Sequence, residues 1–236
     1  MVDFEKTIEL HNTRGQYSRF HPIHKFGFNP ALASNGYESI WTAGGLYPWS
    51  AFDGDAKAIF VKSSDNTDTG ELTVEGLDGN YNKLVETVTL TGTTAVQLSG
   101  TFKRIFRAHY VDGSHAGDIT IHTVSGTGTV VAAITNGLQQ TQMAIYTVPA
   151  DFTGYLRQTT YSCGKNDDAT VRLFTRHFGN SFQVETEGKV FQSSFTQNFS
   201  NFIKLPAKTD IDVRAITTAA GSELIANFDL VIIDGR

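Results

Sequence analysis

The chain has 236 residues, which is enough for one large β domain or for two domains of ordinary size. Charged residues make up 18% of it and the formal net charge is −5, so the composition does not indicate a basic face for nucleic acid. Cys163 is the only cysteine, which excludes an intrachain disulfide and a cysteine-based zinc site.

The N-terminus has no basic segment followed by an apolar one, so we expect no secretory signal and synthesis in a cytoplasm. No window approaches the roughly 20 apolar residues of a membrane span, and no membrane partner is expected. Residues 1–36 are the least regular part and are predicted to form an N-terminal arm. Two interpretations stay open for this arm: it covers its own domain, or it docks on a neighbouring subunit through aromatic and arginine side chains. These candidate interface residues are Arg14, Tyr17, Arg19, Phe20, Phe26 and Phe28.

From residue 38 onward, short alternating segments are separated by turns rich in Gly, Asn, Asp and Ser, a pattern typical of antiparallel strands. The strands predicted in the first half are 38–43, 57–62, 71–75, 84–90, 102–111, 118–123 and 129–135. Those predicted in the second half are 143–148, 154–161, 169–177, 182–186, 190–195, 199–204, 210–217 and 223–234. Only 29–35 and 217–225 are compatible with a short helical turn.

These elements predict an all-β protein made of two antiparallel β-sandwiches of Greek-key or jelly-roll type. The predicted division is an irregular arm over 1–36, a first sandwich over 37–136 and a second over 137–236. The last predicted strand is almost continuously apolar, which indicates burial on both faces or a sandwich core.

Few residues suggest chemistry. Asp65, Asp68 and Glu71 carry oxygen ligands suited to calcium, but their spacing does not match an EF-hand loop, and an acidic hairpin turn is the plainer interpretation. His21 and His24 flank a proline and have no third ligand at a typical spacing. We therefore predict no catalytic residue, no cofactor and no metal site, and leave open an ion at Asp65 and Asp68.

The best candidate for a binding surface is the aromatic group Trp41, Tyr47, Trp49 and Phe52. Aromatic side chains of this kind fill cores, anchor protein interfaces and form platforms for sugars. Three interpretations therefore stay open: a core cluster at one end of the first sandwich, a contact between subunits, and a ligand platform.

Five segments together carry a resemblance: 26–30 (FGFNP), 40–49 (IWTAGGLYPW), 74–81 (VEGLDGNY), 86–92 (ETVTLTG) and 146–150 (YTVPA). As an ordered set they resemble a group of tailed-bacteriophage virion structural proteins found among marine and cyanobacterial phages. The resemblance covers most of the chain and is more distinct over 26–150 than in the C-terminal sandwich. It supplies no catalytic residues.

The resemblance implies a non-enzymatic virion protein, present in many copies as a head accessory (decoration or cement) protein or as a head-to-tail neck component. Its expected partners are other copies of itself and other virion proteins of the capsid, portal, neck or tail. The alternative is a carbohydrate- or receptor-binding module of a tail appendage that binds a surface glycan through the aromatic group at 41–52. A depolymerase is disfavoured because no pair of acidic residues stands out.

Overall fold

The computed structural model describes residues 19–111, 113–126 and 128–235, and these residues form sixteen strands and one short 3-10 helix. The strands before residue 140 are β1 (Phe20–Leu32), β2 (Glu38–Ser39), β3 (Lys57–Ser63), β4 (Glu71–Leu77), β5 (Lys83–Thr89), β6 (Val96–Phe102), β7 (Arg104–Tyr110), β8 (Ile119–His122) and β9 (Val130–Ile134). The later strands are β10 (Ile145–Thr147), β11 (Phe152–Cys163), β12 (Asp168–Arg176), β13 (Gln183–Phe191), β14 (Ser194–Leu205), β15 (Asp210–Ile216) and β16 (Ser222–Asp234). The 3-10 helix covers Trp49–Phe52.

The strands pair antiparallel in four sheets. One sheet, with the order β1-β16-β11-β14, contains the first and last strands and is called the terminal sheet below. A second has the order β10-β15-β12-β13, with β2 added beside β15. The other two have the orders β6-β3-β8-β9 and β5-β4-β7. This architecture confirms the predicted all-β class and its sandwich arrangement.

The terminal sheet and the β10-β15-β12-β13 sheet enclose one hydrophobic core, and the β6-β3-β8-β9 and β5-β4-β7 sheets enclose the other. In β12 and β16 every second residue is buried, because successive side chains of a strand point to opposite faces. Phe228 of the terminal sheet thus shares a core with Val171 and Val213 of the facing sheet. The second core joins Ile59 of β3 to Leu72 of β4.

The structure differs from the expected arm over residues 20–32. These residues form the regular strand β1, whose pairing with β16 runs from Phe20 opposite Ile233 to Leu32 opposite Ser222. Together with β2, β1 therefore belongs to sheets built mainly from the C-terminal half of the chain. The division at residue 136 stays a prediction.

Other elements were also predicted wrongly. The strand β6 and the 3-10 helix were not expected, and the segments 190–195 and 199–204 do not form separate strands. Instead, β13 and β14 meet at a tight turn in which Gln192 has a φ of 49°. The segments 29–35 and 217–225 contain no helical turn, and the described residues include no helix with the length and hydrophobicity needed to cross a bilayer.

Gly27 fixes how closely β1 lies against the rest of the molecule. The Ala144 amide donates a hydrogen bond of 2.9 Å to the Ile40 carbonyl directly beneath it. A Cβ atom at position 27 would lie 2.1 Å from that carbonyl oxygen, so only glycine permits this approach. The contact holds β1 against the backbone of Ile40 and Ala144, beside β15 of the facing sheet.

Candidate interaction surface

The aromatic group at 41–52 is buried. Trp41 and Trp49 are 4% and 6% exposed, and Phe52 is fully buried. The ring of Tyr47 packs edge-to-face against both tryptophans, with centroids 5.2 Å from Trp41 and 4.8 Å from Trp49. These side chains belong to the core of the first sandwich. The described residues therefore do not form an exposed platform at Trp41, Tyr47, Trp49 and Phe52, and their burial agrees with the core-cluster interpretation rather than with a binding surface.

Trp49 instead contacts a network of charges that joins the two sandwiches. Its indole N–H donates to the Asp212 carboxylate at 2.8 Å. Beside it, Arg104 of β7 donates through Nε to Asp210 Oδ1 of β15 at 2.8 Å, and Arg176 donates to Asp210 Oδ2 at 2.7 Å. Burial raises the pKa of the Asp212 carboxyl above its ordinary value, against the opposing effect of neighbouring donors. We interpret this network as a structural junction because Asp212 is fully buried and the buried Asp210 carboxylate accepts hydrogen bonds from both arginines.

The outer face of the terminal sheet carries the other predicted aromatic residues. Along β1 the residues Lys25, Gly27 and Asn29 are buried, so the side chains at the alternate positions point to the opposite, solvent side. Phe20 lies there and is 37% exposed, and Ile225 of β16 lies there and is 44% exposed. The residues of this surface, which we call the outer terminal face, are Phe20, Pro22, His24, Phe26 and Phe28 on β1 with Ile225, Asn227, Asp229, Val231 and Ile233 on β16.

Pairing across the two strands keeps this face continuous. Phe28 lies opposite Ile225 and Phe20 lies opposite Ile233. The His24 ring stacks on Phe26 with centroids 6.4 Å apart, and its Nδ1 lies 2.5 Å from an Asp229 carboxylate oxygen. Apolar and aromatic side chains thus surround the His24–Asp229 pair and its neighbour Asn227.

The ten predicted interface residues therefore separate into three sets. Phe20, Phe26 and Phe28 come together on the outer terminal face, and exposed Arg19, just before β1, donates to the Asp234 carbonyl at 2.7 Å. The four aromatic residues at 41–52 lie in a core. Arg14 and Tyr17 lie outside the described residues.

On its inward side, β1 borders a cationic cleft that sequence reasoning did not identify. A cavity of about 260 Å³ lies between β1 and the β5-β4-β7 sheet. Its lining includes Lys25, Lys83, Arg107 and a single carboxylate, Glu75. The sequence offered no local signal for it, because lysine is rarely buried.

The acidic turn contains no metal cluster. The Asp65 carboxylate accepts hydrogen bonds from the amide and hydroxyl of Thr67, at 2.8 and 2.6 Å. Burial of Asp68 raises the pKa of its carboxyl, but hydrogen bonds from the Ser63 hydroxyl and the Ala116 and Gly117 amides together lower it below its ordinary value. Over residues 19–111, 113–126 and 128–235, no three His, Cys, Asp or Glu side chains are placed to hold a metal ion.

Comparison with known proteins leaves the family open. No protein-family profile matches the sequence, and no curated protein matches it. Among solved structures, similarity is found to the PBSX exported protein XepA, at 9% identity over 88% of this chain and 86% of that one, with a TM-score of 0.21. A structure of the Gx strain of infectious bursal disease virus matches at 9% identity over 92% of this chain and 73% of that one, with a TM-score of 0.27. The CBM22-1–CBM22-2 tandem of Paenibacillus barcinonensis Xyn10C matches at 9% identity over 93% and 94% of the two chains, with a TM-score of 0.18. Likenesses this low carry no argument, and the resemblance to phage proteins stays a prediction.

Proposed function

We propose that this protein is a non-enzymatic structural component of a bacteriophage virion. It assembles with copies of itself and with other virion proteins through the outer terminal face. The particular place is a head accessory position on the capsid or a position in the head-to-tail neck.

The observation that carries this proposal is the composition of the outer terminal face. An antiparallel sheet with one face on a core normally turns polar side chains toward water on the other face. Here Phe20, Phe26, Phe28 and Ile225 occupy the solvent side of β1 and β16, although the opposite side of β16 already packs in a core. Centres of protein interfaces are enriched in aromatic residues, and this face places three phenylalanines around the His24–Asp229 pair.

The edges of the terminal sheet support the same function. Within the described sheets β1 pairs with β16 alone and β14 pairs with β11 alone, so both are edge strands. An edge strand presents backbone donors and acceptors to an incoming strand. A neighbouring subunit can therefore cover the apolar face and extend the sheet at the same place.

Self-association is tested by sedimentation and light scattering over a range of concentrations. Phe26→Ser and Ile225→Thr should shift wild-type oligomers toward monomer, because each removes apolar area from the proposed contact. The matched controls are Phe191→Ser and Val184→Thr, which change exposed side chains of β13 in the facing sheet. A wild-type protein that stays monomeric throughout, or controls that dissociate it equally, would contradict assembly through this face.

The place in the particle is tested by binding and by copy number. The purified protein should bind emptied capsids or portal complexes stoichiometrically, and Phe26→Ser should weaken that binding. Hundreds of copies per particle would indicate decoration of the capsid, and about a dozen or fewer would indicate the neck or tail, following the symmetry of each structure. Failure to bind either particle component would overturn the virion proposal.

The alternative function, a glycan- or receptor-binding module, loses its expected platform because Trp41 and Trp49 are buried. The His24–Phe26 stack on the outer terminal face is an aromatic arrangement on the solvent side that suits a sugar ring. Saturable binding to host lipopolysaccharide that Phe26→Ser abolishes, without binding to capsids, would favour the alternative.

A further inference from the structure

The cleft behind β1 has an unusual balance of charge for an acidic protein. Three basic side chains, Lys25, Lys83 and Arg107, line a cavity of about 260 Å³ together with one carboxylate, Glu75. That carboxylate is already engaged, since Glu75 Oε1 lies 3.4 Å from Arg107 Nη1 and 3.7 Å from a His109 ring nitrogen. The cleft therefore keeps an excess of positive charge.

Lys25 is the innermost of the three cations. The residue is only 8% exposed, and its ammonium group donates a short hydrogen bond to the Phe106 carbonyl. An ammonium has three hydrogens to donate, and in the described part of the chain one of them has an identified acceptor. A buried cation with so few acceptors is costly, and an anionic partner would offset that cost.

Arg107 and Lys83 stand nearer the opening. Arg107 donates through Nη2 to the Gln140 side chain at 3.1 Å and is about half exposed, which leaves other guanidinium hydrogens able to reach a ligand. The Lys83 ammonium lies 4.7 Å from the centre of the Phe152 ring, a contact that holds it beside the cleft.

We propose that this cleft binds a small oxyanion, a phosphate or carboxylate group, that accepts hydrogen bonds from the Lys25 ammonium and is attracted by Arg107 and Lys83. The buried Lys25 ammonium fixes the position of the anion, and the more exposed Arg107 and Lys83 raise the local concentration of the anion. This site does not depend on the proposed place in a virion.

Binding of the anion is linked to a proton on Lys25. Desolvation by burial, with a smaller effect of Arg107 and an opposing effect of Glu75, lowers the pKa of the Lys25 amine to about 7. The anion binds the charged amine, so its affinity should fall as the pH rises above that value. Tyr146 also lines the cleft, and its burial raises the pKa of its phenol, so it stays neutral over this range.

The probes are sulfate, as a stand-in for phosphate, and acetate, because neither changes charge near neutral pH. Calorimetric titration of the whole chain should show one saturable site for at least one of them. With binding restricted to protonated Lys25, the dissociation constant should rise roughly thirtyfold between about pH 6 and about pH 8.5. Sulfate binding alone would identify a phosphate-like ligand, and acetate binding alone a carboxylate ligand.

Variants separate the site from general effects of charge. Lys25→Met should remove both the tight binding and its pH dependence, and Lys189→Met, a change at an exposed lysine of β13, should alter neither. His24 also borders the cleft, although its ring stacks on Phe26 on the outer terminal face, and His24→Asn should leave the pH dependence in place. If Lys25→Met does not fold, Arg107→Gln at the opening provides the test by weakening binding several-fold. The proposal is overturned if neither probe saturates up to about 10 mM, or if the cleft variants bind as the wild type does.

Discussion

Burial of Lys25 should make the stability of this protein rise with pH above neutrality. In the folded chain the pKa of the Lys25 amine is lowered from the ordinary value of 10.5 to about 7. Between these two values the unfolded chain binds a proton that the folded chain does not. Stability rises with pH wherever the unfolded state holds more protons, so the free energy of unfolding should increase over this window.

The size of the effect follows from the same difference. At about 1.4 kcal/mol for each unit of pKa, the change from 10.5 to about 7 corresponds to a penalty of about 5 kcal/mol. The penalty is complete below about pH 7 and is absent above about pH 10.5. Lys25→Met removes the charge and keeps a flexible side chain of similar length, so below neutral pH the variant should be more stable than the wild type by up to this amount.

Urea denaturation of both proteins at several pH values between about 6 and 10 measures the difference directly. Burial also lowers the pKa of Lys83 and Lys103, but both residues are present in wild type and variant, so their contributions cancel. Lys189→Met is the matched control and should keep the wild-type pH dependence. A stability difference between wild type and Lys25→Met that stays constant within about 0.5 kcal/mol over this range would refute the reasoning.

Two further predictions concern the buried ion pair between the sandwiches and the close packing of β1 at Gly27. Asp210→Asn leaves buried Arg104 without its counter-charge and should lower the free energy of unfolding by about 3–5 kcal/mol. Urea denaturation measures this loss, and a value below about 1 kcal/mol would contradict a buried ion pair at this place. Gly27→Ala places a Cβ atom 2.1 Å from the Ile40 carbonyl oxygen and should destabilise by about 3 kcal/mol. Gly36→Ala, with nothing within 4 Å of the added atom, should change stability by less than about 0.5 kcal/mol in the same assay, and equal effects at both glycines would count against the close approach.

Much of the fold follows from the sequence because side chains alternate along most strands. The segment 169–177 was predicted as a strand and lies within one residue of β12, where apolar residues take every second position. The last strand was likewise predicted within one residue at its start, from a nearly continuous apolar run. That run has a specific cause in the structure: one face of β16 fills the core, and Ile225, Val231 and Ile233 occupy the outer terminal face.

The strand β1 escaped prediction because its pattern is reversed. Its buried positions hold Lys25, Gly27 and Asn29, and its aromatic residues Phe26 and Phe28 point outward. A rule that places apolar residues inside finds no regular element there. Lysine is rarely buried, so nothing local indicates that this one lies inside.

The burial of the aromatic group at 41–52 could not be predicted from that segment of the sequence either. The same residue types fill cores and anchor interfaces, and only tertiary contacts distinguish the two. For Trp49 the deciding contact is the hydrogen bond to Asp212, 163 residues later in the chain. No spacing within the segment contains that information.

Because β1 carries both proposed sites, each site provides a control for the other. Phe26 faces outward and Lys25 faces the cleft from the adjacent position, and both depend on the pairing of β1 with β16. A variant that merely loosens this strand would weaken assembly and anion binding together, since each needs β1 in place. We expect Phe26→Ser to dissociate the oligomers and to keep the affinity for sulfate. We expect Lys25→Met to lose the affinity for sulfate and to keep the oligomers. These two results together would assign one role to each face of the strand. Parallel loss of both properties in either variant would instead indicate that β1 acts only as a structural support.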